Sequence, residues 1–447
     1  MDFISFGFLL FLLLVTLLEP FSKYNKYFFI SISSILFYSV AGGMLVAILL
    51  LSSMIDHFVS RHLIGMHKKK VLWFGVFLNL SFLVAVKLYY YMDFGLIGAS
   101  SLIPLGISFY SLQSVSYLID VYKGKIKRID SFIEYLAYLS FFPQLIAGPI
   151  ERCNRLYPQL KNFSLVANER LLLAIKMFVF GVYLKFVVSN RLAAPVYEVA
   201  NGSEFDLIFL LNGFLGFVYV YVDFFSYTLM ARGVAKLFNI DLSINFDRPF
   251  SRRTLIGLWQ SWHISLTKWV TDYFYIPIML RLQGRKFERL FFSVIAMILV
   301  GLWHGFSWNF LLFGFINGFM MQALPIIDKL TLEYSSFTPR LNSRLGIFIT
   351  MGISGNLFLF SSDARILDFY NLENYFWLSE EWYKPYTSLG FLLGLVGLIP
   401  LAFHEFKKVS FLYKNFSSTK ELILILSYSI LIILFHAEGP KHVYFAF

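Results

Sequence analysis

Eight histidines are the first place to look for chemistry in this chain. Imidazole, with an ordinary pKa of about 6.5, takes and returns a proton near neutral pH. His57, His62 and His67 are five apart beside a lysine run and read as solvated loop residues. His404, His436 and His442 lie near the ends of apolar runs and read as interfacial. His304, in "GLWHGFSWNFLLFG" (301–314), and His263, in "LWQSWHISLTKWVTDYFYIPI" (258–278), stand instead among tryptophans in apolar surroundings. Two readings are open for His304: a buried ring bonded to a nearby backbone carbonyl, or a general base facing a functional interior. Gly305, without a side chain, would let a substrate approach that ring. The same two readings apply to His263, where the structural one suffices if the residue is taken alone.

Acidic residues add two candidates. Asp223, in "YVYVDFFSYTLMARG", would cost about 3 kcal/mol at mid-membrane unless paired, and Tyr219 and Tyr227, four residues to either side, could satisfy it. Asp272 stands four residues after Lys268, the spacing of a helical ion pair. Templates for metalloprotease, serine hydrolase, phosphate-loop and calcium chemistry are missing. Cys153 is the one cysteine, so there is no internal disulfide, no thiol pair for a metal and no support for redox chemistry.

The elements that must position these residues are membrane helices. Of 447 residues, 58% are hydrophobic and 15% charged, against about 25% charged in soluble domains. Apolar runs cover 3–18, 28–51, 71–91, 102–119, 171–188, 207–222, 290–324, 346–360, 389–403 and 422–435. They amount to about ten spans of roughly 20 residues, each able to cross about 30 Å of hydrocarbon. The first run has Asp2 in place of a basic leader and no small-residue cleavage pattern, so it reads as a retained helix. The stretch 131–150 is less regular, and the aromatic stretch 361–387 suits an interfacial loop. No soluble domain and no internal repeat appear; residues 1–447 read as one integral membrane domain.

The net charge of +11 lies in short loops, such as "HKKK" at 67–70 and "KGKIKR" at 123–128. That is the pattern of cytoplasmic loops beside anionic lipid, not of nucleic-acid binding. Loop 92–101 has no lysine or arginine. Alternation then puts 61–70, 123–128 and the N-terminus on the cytoplasmic side.

Two segments depart from simple spans. As one helix, the 35 residues 290–324 would extend roughly 52 Å, so the run must break, with Gly301, Gly305 and Ser307 marking the place. Irregular backbone at membrane depth survives only where protein or a water-filled cavity satisfies it. In the second, 258–278, a helix puts Trp259, Trp262, His263, Leu266, Trp269, Val270 and Tyr273 on one side. Lys268 and Asp272 fall opposite, and Pro277 ends an amphipathic helix that lies at the interface or folds back into the protein.

Four stretches together resemble the membrane-bound O-acyltransferase family, in its bacterial branch of alginate, peptidoglycan and cellulose O-acetylating proteins. They are "PLGISFYSLQSVSYLIDVYKGKIK" (104–127), "FFPQLIAGPIERCNRLYPQL" (141–160), "NFDRPFSRRTLIGLWQSWHISLTKWVTDYFYIPI" (245–278) and "GLWHGFSWNFLLFG" (301–314). With the hydrophobic profile, the resemblance covers roughly residues 1–370, and its motif core 104–324. It implies an all-α polytopic fold, a ring of about 10–12 transmembrane helices with re-entrant or interfacial helices around a central tunnel. "GLWHG" places the family's membrane histidine at His304 and "WHISL" its second at His263. Trp303, Gly305, Trp262, Asp272 and Asp223 become candidates for the tunnel lining.

By the same resemblance, acetyl-CoA would be the acyl donor, arriving from the cytoplasm, with no tightly bound cofactor and no metal. His304 would act as general base or relay the acyl group. The acetyl group would pass across the cytoplasmic (inner) membrane toward an extracytoplasmic transferase and a cell-surface glycan. The chain departs from the family's pattern at charged contacts: Gln260 and Ser261 replace two arginines, Thr271 precedes Asp272, Leu229 replaces an aspartate, and Ser361 stands where an arginine is common. Neither histidine is touched. Rival readings are a D-alanyl transfer protein of teichoic acid synthesis with the same fold, a transporter with proton-relay histidines, and a silent scaffold of a glycan-export complex.

Overall fold

The computed structural model describes residues 3–63, 67–92, 106–145, 148–201, 208–282, 286–334, 339–360, 386–406 and 418–439. Among these residues the chain is helical throughout, with no strand. Helix α1 (Phe6–Leu18) starts at Ser5, whose hydroxyl accepts the Phe8 amide at 3.1 Å. Asn25 does the same for the Phe28 amide at 3.0 Å, opening α2 (Lys26–Gly42). Each cap satisfies a donor that the first helical turn leaves without an intrahelical partner. The run 28–51, expected as one span, is two helices: Gly43 takes φ 58, a left-handed value open to glycine, and the chain turns before α3 (Val46–Arg61).

Helices α4 (Lys68–Met92) and α5 (Ile107–Tyr122) pack side by side. The irregular stretch that follows resolves into short helices α6 (Phe132–Ser140), α7 (Phe142–Leu145) and α8 (Cys153–Leu160). Helix α9 (Asn168–Tyr183) continues through a π-helical turn, Leu184–Ser189, into α10 (Asn190–Asn201). Helix α11 (Ile208–Leu237) lies at the centre, packed along α9 and along α17 (Pro339–Leu359), and buries Tyr219, Val222, Phe224 and Leu229.

The segment 258–278 corrects the single-helix expectation. It is α12 (Leu255–Ser261), α13 (Ile264–Val270), a π-helical turn at Thr271–Tyr275 and α14 (Ile276–Arg281). The break has a tertiary cause: the Ile264 amide donates to the Asn245 carbonyl at 2.8 Å, and the Ser261 carbonyl accepts from the Asp247 amide at 3.0 Å. A neighbouring loop thus takes bonds that a continuous helix would make. Pro277 lies inside the continuous helical run 264–281, just after the π-helical turn, instead of ending the helix.

Helix α15 (Lys286–His304) and helix α16 (Trp308–Tyr334) form a tight antiparallel pair. A Cβ on Gly301 would lie 2.0 Å from the Phe310 carbonyl oxygen, so the two backbones touch there. The C-terminal helices are Leu389–Gly397, Ile399–Phe406 and Ser418–Phe435. Among the described residues, six stretches are long and apolar enough to cross a membrane: Phe6–Lys23, Lys68–Leu88, Asn168–Ala200, Phe209–Leu237, Phe287–His304 and Trp308–Lys329. Lys26–Gly42, Arg344–Leu359 and Leu389–Glu405 are shorter apolar helices. Outer faces expose Phe6, Leu17, Trp73 and Phe77, as a lipid-facing surface requires. The chain is a multi-pass membrane protein.

The two basic loops read as lying on one side do meet: Arg61 donates to the Asp130 carbonyl at 3.3 Å and Arg128 to the Arg61 carbonyl at 3.5 Å. The aromatic stretch at 361–385 lies outside the described residues, as does His442. His404 is buried, not interfacial, with its ring 5.8 Å from Phe225. The helix Ile399–Phe406 folds inward because Glu405 accepts from the Tyr221 hydroxyl and from the Phe250 amide. His57 is half-buried on α3 against Phe132, while His62, His67 and His436 are exposed.

Candidate active site

The break that chain length demands falls at residues 305–307, between α15 and α16. His304 is therefore the last residue of α15, and Ser307 accepts the Phe310 amide to start α16. The imidazole is 5% exposed. Aromatic rings surround it: Trp303 at 4.9 Å, Phe358 at 5.0 Å, Phe310 at 5.9 Å and Phe313 at 6.1 Å between centroids. A Cβ on Gly305 would meet the Phe310 ring at 2.6 Å, so the space expected for a substrate there holds that ring.

Trp303 joins the two histidines. Its indole lies 5.5 Å from the His263 ring as well as 4.9 Å from His304, and its Nε1 donates to the Ser108 carbonyl on α5 at 3.1 Å. His263 is 2% exposed and sits between α12 and α13 at φ 41, in the left-handed region. Phe224 on α11 meets its ring edge to face at 4.7 Å, and Phe109 on α5 lies 6.2 Å away. The helix break thus turns His263 inward, toward the end of α15. Two imidazoles and an indole thus meet among buried aromatic side chains.

The other candidates lie farther out. Trp262 stacks on Phe217 at 4.1 Å and meets Phe246 at 5.3 Å, forming the support behind His263. Asp223 adjoins Phe224 in sequence, but its carboxylate pairs with Lys185 at 2.7 Å and accepts from Ser189 at 2.8 Å. The π-helical turn that continues α9 brings this lysine and serine to the carboxylate, partners that counting by four along α11 does not reach. Asp272 pairs with Arg152 at 3.7 Å instead of Lys268, since the π-helical turn at Thr271–Tyr275 alters the helical register on which that pair depended. The Arg152 guanidinium lies over the Tyr273 ring at 4.5 Å, and Tyr273 donates to Asp120 at 2.6 Å.

Sequence reasoning passed over Lys87 and Lys185, although each is an ionisable residue inside an apolar run, the signal that singles out intramembrane groups. Lys87 on α4 reaches the His304 carbonyl at 2.8 Å. Among the described residues, no group of three or more His, Cys, Asp or Glu side chains is placed to hold a metal ion.

Comparison with known proteins bears on this site. The sequence pattern of the membrane-bound O-acyltransferase family matches residues 35–361, which include both histidines. A peptidoglycan O-acetyltransferase of Helicobacter pylori is 27% identical over 354 residues, 69% of this chain and 66% of its own length. A probable alginate O-acetylase of Pseudomonas aeruginosa is 31% identical over 220 residues, 48% of this chain and 42% of its own. A teichoic acid D-alanyltransferase of Streptococcus thermophilus is 30% identical over 242 residues, 49% of this chain and 57% of its own. The chain thus spans less than two thirds of the length of each of these relatives.

Proposed function

This chain belongs to the membrane-bound O-acyltransferase family, and from that premise we propose that it transfers an acetyl group from acetyl-CoA toward a cell-surface glycan across the cytoplasmic membrane. The observation that carries the reading is the position of His304. It ends a membrane helix at a backbone break, enclosed by aromatic rings and tied to His263 through Trp303. In the proposed step the His304 imidazole takes the proton of an incoming hydroxyl as its oxygen bonds to the thioester carbonyl carbon. Collapse then breaks the C–S bond, and the departing thiolate receives that proton. The acetylated carrier is an extracytoplasmic transferase that passes the group to the glycan. Basic loops gathered on one side suit an anionic donor such as CoA.

The relatives named as teichoic acid D-alanyltransferases support a second reading, in which the same site moves D-alanine from a carrier protein. The test counts base-labile esters on surface glycans by mass spectrometry, in a host lacking the gene and in the same host carrying wild type or His304→Ala. Acetyl esters restored by wild type alone are expected. D-alanine esters restored instead would select the second reading. No difference among the strains, with each protein present in the membrane, would overturn both.

A further inference from the structure

Among the described residues three lysines are buried in membrane helices, and two of them have carboxylate partners. Lys185 pairs with Asp223 at 2.7 Å, and Lys176 with Glu421 at 2.8 Å, tying α9 to the helix Ser418–Phe435. Each is a buried ion pair of the kind that joins helices. Lys87 is the third, 7% exposed on α4, and among the described residues no carboxylate pairs with it. Its ammonium donates instead to the carbonyl oxygen of His304 at 2.8 Å. An ammonium inside a membrane helix costs about 3 kcal/mol, and here that cost is incurred at the backbone of the proposed base.

The geometry explains what the contact does. At the end of a helix the last carbonyls lack intrahelical donors and carry the negative end of the helix dipole. The chain leaves helical form at 305–307, and at that end Lys87 gives the His304 carbonyl a charge-assisted bond. One residue earlier, Trp303 Nε1 donates to the Ser108 carbonyl on α5. Helices α4 and α5 pack together, and between them they hold both residues 303 and 304.

We infer that Lys87 is a positioning residue for His304: by bonding its carbonyl, it fixes where α15 ends and so where the imidazole stands relative to Trp303 and His263. This inference rests on the proposed acyl-transfer reading only for its catalytic consequence. The contact itself is testable without knowing the acyl group.

The full-length protein would be compared as wild type, Lys87→Gln and Lys87→Met. One readout is the histidine NMR spectrum of the purified protein, with the His304 signal assigned from His304→Ala. The other is the kinetics of acyl transfer from acetyl-CoA. Lys87→Met is expected to shift the His304 signal and to lower kcat by roughly tenfold to hundredfold, the range for a misplaced reacting group. The donor KM should stay within about twofold, because uniform binding is untouched. Lys87→Gln, which can still donate to the carbonyl, is expected to lie between, and it decides the matter if Lys87→Met does not accumulate. An unshifted His304 signal, or a kcat that falls only with the folded fraction, would overturn the inference. Absence of any acyl transfer by wild type, with the His304 signal still shifted in Lys87→Met, would overturn the proposed function and leave the positioning role standing.

Discussion

Lys185 places its ammonium 2.7 Å from the Asp223 carboxylate, both side chains being almost wholly buried, and Ser189 donates to the same carboxylate at 2.8 Å. The lysine comes from a π-helical turn and the aspartate from the central helix, so the pair joins α9 to α11 at the level of Phe224 and the site. Breaking a buried pair leaves an uncompensated charge and costs about 3–5 kcal/mol. Asp223→Ala should therefore lower the unfolding temperature in detergent and the folded yield, while activity per folded molecule changes little. Lys185→Met combined with Asp223→Leu should recover most of the loss, because it removes both charges. A double variant no better than Asp223→Ala would show that the hydrogen bonds, and not the charge balance, hold this junction.

Asp56 carries a second prediction. It is fully buried near the C-terminal end of α3, and it accepts from Asn79 at 2.6 Å and from Tyr135 at 2.8 Å. Asp56→Leu would leave both donors without this acceptor in the core, at a cost of about 1–3 kcal/mol for each group left unsatisfied. Asp56→Asn keeps an acceptor oxygen. The expected order of unfolding temperature in detergent is wild type, then Asp56→Asn, then Asp56→Leu. Equal values for the two variants would show that these hydrogen bonds add little to the junction.

The glycines between α15 and α16 carry a third prediction. Gly301→Ala would drive a methyl group into the Phe310 carbonyl, a contact of 2.0 Å with backbone that cannot rotate away. Gly305→Ala meets the Phe310 ring at 2.6 Å, and that ring lies beside His304. Overpacking costs about 1–3 kcal/mol where neighbours can shift and more where they cannot. The expected order is a large loss of folded protein for Gly301→Ala, and for Gly305→Ala a near-normal yield with reduced acyl transfer. Equal yields for the two would show that the helices separate freely.

The break beside His304 was legible because it follows from arithmetic: one helix of that length cannot fit in a bilayer, and glycine and serine show where it ends. The break at Trp262 and His263 was not. It is made by hydrogen bonds to Asn245 and Asp247, on a loop whose position no local pattern reveals. The partner of Asp272 failed for a related reason. Counting by four assumes α-helical register, and the π-helical turn at Thr271–Tyr275 interrupts it. Lys87 was legible in type, as a charge in an apolar run, but its target is a backbone carbonyl 217 positions away. A backbone group carries no side-chain signature for sequence reading to find.

The backbone of His263 yields the last prediction, since it separates the imidazole from the fold. At φ 41 and ψ 54 an ordinary L-residue is disfavoured by about 1–2 kcal/mol, whereas glycine adopts the region freely and asparagine visits it through local hydrogen bonding. His263→Val should lower folded yield most, because a branched Cβ fits this conformation worst. His263→Asn should keep the turn between α12 and α13 and remove only the imidazole, with His263→Gly as a control that relaxes the backbone further. If the ring takes part in acyl transfer, Asn and Gly variants should accumulate in the membrane and both lose transfer. Retained transfer in His263→Asn would mean that the ring serves as packing against Phe224 and Trp303. The chemistry would then rest on His304 without its neighbour.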